Sequence, residues 1–390
     1  MQIVSDKVFT GEGFEPAIIA IDDCVVESVA SWDEAGGAQA VQAAIDAGAM
    51  DARGSVVIPG MIDLHFHGAA GADFCDGTVE AVRTMARYEA SCGVTAICPA
   101  TMTFPEEVLT LAMEAASVFE PADDEAALIG INMEGPFISP HKVGGQNPAY
   151  VQKADANMIR RLQLAASGLI RLVDVAPEED GALDFIREMS DEVRISVAHT
   201  CADYDTAHAA YLAGARQLTH TCNAMPGLHH REPGPIAAAH DAIELDGMDD
   251  VYVELIGDGK HVQAPMVRFL FDAFDGHVVV ISDTMRAAGL EDGTYEFGGQ
   301  QVAVHDSLAW VNGDTIAGSV TNVGECLRRL VCEMQVDPVR AVRAVTVNPA
   351  TALGEELYRG SIEEGKMADL VVLNPDFTVR DVMVRGKFLW

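Results

Sequence analysis

The chain has 390 residues, 49% of them apolar and 22% charged, a balance that excludes disorder, collagen and coiled coil and leaves room for a large core. Its formal charge of -35 comes from 25 Lys and Arg against 60 Asp and Glu, and the cations are scattered apart from pairs such as Arg160-Arg161 and Arg328-Arg329. Such a surface repels polyanions, which sets aside nucleic acid and anionic membrane as partners but leaves a small anionic substrate held by one or two Arg in a cleft.

Residues 1–57 alternate apolar and polar positions in short runs (3–9, 17–21 and 25–29) separated by Gly and Asp turns, the pattern of a small sheet. After Pro59-Gly60, short apolar runs alternate with amphipathic helices such as 79–90 and 205–212. The apolar runs cover 61–64, 94–98, 128–133, 170–175, 193–198, 216–219, 251–256 and 278–282. Eight parallel strands, each followed by a helix, close into an α/β architecture, the (β/α)8 TIM-like barrel. A β insertion is expected at 297–316, helices at 321–335 and 337–352, and short β runs return at 365–373 and 379–389. The two β-rich ends, 1–57 plus 357–390, are expected to form one small β-sandwich domain beside a barrel of 58–356. The first residues lack a basic segment followed by an apolar one, no apolar stretch reaches the roughly 18 residues of a membrane span, and the eight Cys show no Cys-x-x-Cys pairing. These features point to the cytoplasm and to reduced, buried thiols.

The ends of the eight runs carry the chemistry. Strand one leads into His65-Phe66-His67-Gly68, strand three into Glu134-Gly135-Pro136, strand five into His199, strand six into His220, strand seven into Asp258-Gly259-Lys260-His261, and strand eight into Asp283. In a barrel these C-terminal strand ends converge on one mouth, where active sites are built. Imidazole and carboxylate are ligands of zinc and related divalent ions, and residues at i and i+2 of a strand end can reach one ion.

The run Ile58-Pro59-Gly60-Met61-Ile62-Asp63-Leu64-His65-Phe66-His67-Gly68 resembles the opening of an amidohydrolase-superfamily barrel. Within that superfamily, Asn132-Met133-Glu134-Gly135-Pro136-Phe137, Thr219-His220-Thr221-Cys222-Asn223-Ala224-Met225-Pro226, Arg231-Glu232-Pro233-Gly234, Asp258-Gly259-Lys260-His261-Val262 and Ser282-Asp283 are similar to the N-acetylglucosamine-6-phosphate deacetylase family, in order and over essentially the whole chain. The resemblance implies hydrolysis of an N-acetylated amino-sugar 6-phosphate to the free amine and acetate. It also implies a divalent ion, zinc or iron, held by Glu134, His199 and His220, with a bound water as nucleophile. Asp283 would take the water's proton and return it to the leaving amine, and His261 would hydrogen-bond the acyl oxygen. Asn223, the backbone at Ala224 and Arg231 match phosphate-binding positions, and Gly145, Gln146, Ile316, Ala317 and Gly318 match further substrate contacts. Because the chain keeps His65 and His67, which some members lack, a second ion bridged by Glu134 is expected. The family also implies a homodimer or dimer-based oligomer in which Arg231 is shared across the interface.

The chain departs from the family at Thr221-Cys222, at Gln146 where some members have His, and at Lys260 beside His261. These positions bear on the sugar epimer, galactosamine or mannosamine type being the alternatives. A cyclic-amide hydrolase bridging two metals through a carbamylated Lys would carry it at the end of strand four, where this chain reads Leu172-Val173-Asp174-Val175-Ala176-Pro177. A non-catalytic sugar-phosphate sensor would have no need of Asp283.

Overall fold

The apolar runs form parallel strands in a computed structural model that describes residues 1–311, 313 and 315–389. Arg194–Val197, Gln217–Leu218, Tyr252–Ile256 and Val278–Ile281 follow Ile131–Met133 and Ile170–Val175 in one six-stranded sheet, ordered as in the sequence. Met61–Asp63, Val94–Ile97 and Ala127–Leu128 form a three-stranded sheet. Backbone bonds link the two sheets at both margins: Asn132 N donates to Pro99 O at 3.0 Å, and Asp283 N donates to His65 O at 2.9 Å. The expected third strand is therefore split. Ile129 N donates to Ile97 O and Ile131 N to Leu169 O, so the chain changes neighbours across Ile129 and Gly130, as a curling sheet requires.

Helices cover the outer face and start where the sequence supplies caps. Thr78 accepts from Ala81 N ahead of Val79–Ser91, and Asp203 accepts from Thr206 N ahead of Tyr204–Ala213. Each buries one apolar stripe, as Ala81, Val82, Met85, Ala86 and Ala90 do in the first. The helix expected at 337–352 is two, Pro338–Val345 and Val347–Leu353, which meet at Thr346, whose φ of -132° is non-helical.

The two chain ends share one eight-stranded sheet, and Ile3, Ile19 and Val26 of one end are buried in a single cluster with Leu370, Val372 and Met383 of the other. Leu370–Leu373 pairs antiparallel with Val56–Pro59, residue 370 opposite residue 59, which anchors the C-terminal segment to the strand that leads into Met61–Asp63. The N-terminal segment also holds two helices that its alternation did not announce, Trp32–Ala35 and Ala38–Asp46; Ser31 and Glu34 form a capping box at the first. The insertion is a four-stranded antiparallel sheet, Gly293–Phe297, Gln300–His305, Leu308–Val311 and Thr315–Ser319; residues 312 and 314 of the expected range lie outside the described residues. Ser319 N donates to Asp283 O at 2.7 Å, which sets this sheet against the end of Val278–Ile281. All eight cysteines are free thiols, but only Cys98 and Cys326 are buried, while Cys201 and Cys332 are exposed, so burial holds for a minority. Among the described residues no helix is long and apolar enough to cross a membrane.

Candidate active site

The strand ends converge. His67, Glu134, His199, His220, His261 and Asp283 all line one cavity of about 430 Å³, and the side chain of His65 lies behind it, fully buried. Three of these residues have left-handed backbones, with φ of 41° at His199, 27° at His220 and 51° at Asp283. Such conformations cost non-glycine residues roughly 1 to 3 kcal/mol each and cluster at functional sites, where surrounding packing holds them. Gly135, at φ 86°, follows Glu134 because a side chain there would run into Thr103.

Glu134 is the centre of the cluster. Its Oε1 lies 3.0 Å from His199 Nε2 and 3.0 Å from His220 Nε2, and the two imidazole nitrogens are 3.1 Å apart. His199 Nδ1 is 2.8 Å from Lys142 O, which can only accept, so Nδ1 carries a proton and Nε2 is the nitrogen left to face an ion. Two ring nitrogens and a carboxylate oxygen at about 3 Å lie together, an arrangement suited to a divalent ion. A backbone carbonyl orienting a ligand imidazole is the usual support at such sites. The second set adjoins the first: Glu134 Oε1 is 3.4 Å from His65 Nε2, and Glu134 Oε2 is 3.3 Å from His67 Nε2. His65 Nε2 is buried without a hydrogen-bond partner, and the ligand atoms of each set lie within 4.8 Å of one another. The donor types and spacing fit one or two divalent ions.

The electrostatics follow from this crowding. Burial opposes ionisation of Glu134, but the charges of His199, His67 and His65 outweigh it and hold its carboxyl well below the ordinary range. Burial likewise opposes a charged His67, yet the Glu134 charge and hydrogen bonds with Asp283 and Glu134 raise it to about 9. Asp283, 3.3 Å from His67 Nε2, is also held low, because that hydrogen bond and the two histidine charges exceed its burial penalty.

The remaining expected residues fall in two groups. Asn223, Ala224, Gly145, Gln146, Ile316, Ala317 and Gly318 line the cavity. Gln146 is buried, its Nε2 donating to Glu134 Oε2 and its Oε1 accepting from Thr103 N at 2.6 Å, so its amide is engaged with the carboxylate. Asn223 Nδ2 donates to His220 O at 3.1 Å. Gly145 packs against Ala317, where a side chain would come within 2.9 Å of its Cβ. Arg231 does not line this cavity; it is exposed, in a separate depression with Cys201, Asp203, Tyr204 and Glu232. The sequence reading missed His141, Lys142, Val143 and Phe297 on the cavity wall. Only the Gly144-Gly145 loop signal hinted at the first three, and Phe297, whose ring centroid is 5.2 Å from that of His67, arrives from the insertion.

A cavity in which imidazoles and one carboxylate at parallel strand ends can share divalent ions, with a second carboxylate beside them, defines a metal-dependent hydrolase. Residues 56–389 match the amidohydrolase family, and the chain belongs to it. An N-acetylglucosamine-6-phosphate deacetylase of Bacillus subtilis (strain 168) is 36% identical over 341 residues, covering 85% of this chain and 84% of its own. An N-acetylgalactosamine-6-phosphate deacetylase of Escherichia coli O157:H7 is 31% identical, covering 85% of this chain and 87% of its own. A solved structure of a mutant N-acetyl-D-glucosamine-6-phosphate deacetylase from Mycobacterium smegmatis, in complex with N-acetyl-D-glucosamine-6-phosphate, is 32% identical and superimposes with a TM-score of 0.89, covering 100% of this chain and 99% of that one.

Proposed function

We propose that this chain hydrolyses the N-acetyl group of N-acetyl-D-glucosamine 6-phosphate to give D-glucosamine 6-phosphate and acetate, in amino-sugar catabolism. The observation that carries the reading is the meeting of Glu134 Oε1, His199 Nε2 and His220 Nε2 within about 3 Å, in one cavity with Asp283 and His261. The relatives that share the fold and most of the chain's length bear the same activity in their names.

Glu134, His199 and His220 would hold the first ion, zinc or iron, and His65, His67 and Glu134 would hold a second. When bound there, a divalent ion would supply Lewis acidity toward the amide carbonyl and a lowered pKa for water. Asp283, kept ionised by its neighbours, takes a proton from the attacking water and delivers it to the amine nitrogen as the C–N bond breaks. His261 donates a hydrogen bond to the acyl oxygen as charge develops there. Asn223 and the Ala224 backbone receive the phosphate, with Arg231 contributed by a neighbouring subunit of a homodimer, since its planar fork matches a phosphate monoester. Gly145, Gln146, Ile316, Ala317 and Gly318 shape the sugar subsite.

The six-stranded and three-stranded sheets are two arcs of one (β/α)8 barrel, a reading supported by the bonds between Asp283 and His65 and between Asn132 and Pro99. Residues 58–356 form that catalytic domain, and 1–57 plus 357–390 the small β domain, within a cytoplasmic enzyme. A second reading, the galactosamine epimer as substrate, draws on the 31% identity to the Escherichia coli relative. Acetate release from the 6-phosphates of N-acetylglucosamine, N-acetylgalactosamine and N-acetylmannosamine, with unphosphorylated sugars as controls, tests both. Turnover of the glucosamine compound, abolished by chelation and restored by zinc or iron, is expected; no acetate from any of the three overturns the reading.

A further inference from the structure

We infer that Glu254 is a positioning residue that ties the two candidate ion sites together, one carboxylate oxygen holding His65 by its ring and His220 by its backbone. The inference rests on the two-set reading of the metal centre given above. Glu254 sits in the strand Tyr252–Ile256 with a fully buried side chain. Its Oε2 is 2.9 Å from His65 Nδ1 and accepts from the His220 backbone N at 3.2 Å. Its Oε1 accepts from Gln217 Nε2 at 2.5 Å, and Gln217 Oε1 in turn accepts from Arg194 Nε at 2.8 Å.

An ionised carboxylate only accepts, so His65 Nδ1 keeps its proton toward Glu254, and Nε2, which faces Glu134, is the nitrogen that offers a lone pair once an ion displaces its proton. In the opposite tautomer His65 could not be a ligand at all. The same oxygen fixes His220, whose left-handed backbone at φ 27° needs outside support, and Thr221 N donates to Glu254 O at 2.8 Å, pinning the next residue. One member of each ion set therefore depends on one carboxylate, itself held from behind through Gln217 and Arg194. Glu254→Gln keeps the size but not this pattern. Its amide offers one acceptor and one donor group, so NH2 must face either the His65 Nδ1 proton or the Gln217 amide. Gln217 cannot turn over to accept, because its oxygen is engaged by Arg194.

The test compares wild type, Glu254→Gln and Glu254→Asp, each stripped of metal and verified as folded by circular dichroism. Zinc affinity and stoichiometry are read by competition with a chromophoric chelator. The His65 tautomer is read after zinc is added back, by nitrogen-15 NMR of histidine-labelled protein, the signals being assigned by their loss in His65→Asn. Expected is a drop in zinc affinity of about 10- to 100-fold, the usual effect of losing a residue that orients a ligand. It falls hardest on the His65–His67–Glu134 set, and His65 leaves the Nδ1-protonated form. A folded Glu254→Gln with wild-type zinc affinities and an unchanged tautomer overturns the proposal; a purely structural role lowers the melting temperature and moves neither reading. If Glu254→Gln does not fold, Glu254→Asp, which keeps the charge but retracts it by one methylene, carries the same two measurements, and wild-type values in it overturn the proposal. Should wild type take up a single ion, the two-ion reading fails on its own, and the His65 tautomer and the affinity of the Glu134–His199–His220 set still decide the role of Glu254.

Discussion

His261 Nδ1 lies 2.7 Å from Asp258 Oδ2, and the other oxygen of that carboxylate accepts from the backbone N of Lys260 at 2.8 Å and of His261 at 3.0 Å. Asp258 thus fixes both the ring and the turn that carries it. With Nδ1–H committed to Asp258, Nε2 can donate a hydrogen bond only from the doubly protonated imidazolium.

Burial of His261 works against that charge, but the hydrogen bond and charge of Asp258, with the charge of Asp283 added, raise its pKa above the ordinary histidine value. Asp258→Asn removes the larger opposing contribution and leaves the burial, so His261 should titrate lower in the variant. NMR titration of the histidine signals checks this, and an unshifted His261 contradicts it. The sign for stability follows from the raised folded value. The pair's contribution is fully present below about 6.5, the unfolded value, and is lost as pH rises through the folded one. Asp258→Asn should therefore cost more stability at pH 6 than at pH 9 in denaturant unfolding.

Asp283 is held ionised by His67 and His65 while remaining outside the Glu134–His199–His220 set. Asp283→Asn should therefore keep metal at that set and lose roughly 100- to 10,000-fold in kcat, the range for a general acid–base group. Metal analysis and turnover on the same sample check it. Near-wild-type turnover in a metal-replete variant removes Asp283 from the proton path.

The parts legible in the sequence are those whose signal is local. Each apolar run ending in His, Glu or Asp marks a strand and its functional tip together, which is why His199, His220 and Asp283 stood out. Glu254 did not, because it lies inside the run 251–256 and reads as one polar position among apolar ones. Its partners, His65 and Gln217, are 189 and 37 residues away. Gln146 reads as a loop residue, and only the folded chain brings its amide onto Glu134. The helices Trp32–Ala35 and Ala38–Asp46 lie in a segment dominated by strand alternation, and the first is only 4 residues long, too short for periodicity to register.

The metal centre carries its own pH dependence. In the metal-free chain His67 is raised to about 9, so at neutral pH an ion entering the His65–His67–Glu134 set must displace a proton. Apparent zinc affinity at that set should fall by at least about tenfold for each pH unit below that value, because His65, raised as well by Glu254 and Glu134, must also give up a proton. In the metal-free protein the protonated His67 contributes stability that is present below about 6.5 and is lost as pH rises through the folded value, so zinc and protons stabilise over opposite ranges. Zinc titrations at several pH values across this window, with His67→Asn as the one-set reference, check it. An affinity independent of pH would show that the pair is not a metal set.

Arg231 provides the last test, because it is exposed and absent from the wall of its own chain's cavity. Its loop follows Pro226-Gly227 and runs into the helix Gly234–Glu244, so the guanidinium faces a depression formed with Asp203, Tyr204 and Glu232. If it serves the phosphate, a second copy of the chain must bring it there, as a two-fold interface allows. Arg231→Ala and Asp283→Asn are each expected to be nearly inactive alone. Mixed under conditions that let subunits exchange, half of the dimers are hybrids, and each hybrid holds one site with an intact Asp283 and an intact borrowed Arg231. About a quarter of wild-type activity should return, by the symmetry of a two-fold dimer. If Arg231 acted within its own chain, every site in the mixture would lack one of the two groups. With exchange verified by mass spectrometry, activity no higher than the two parents would rule out the shared site.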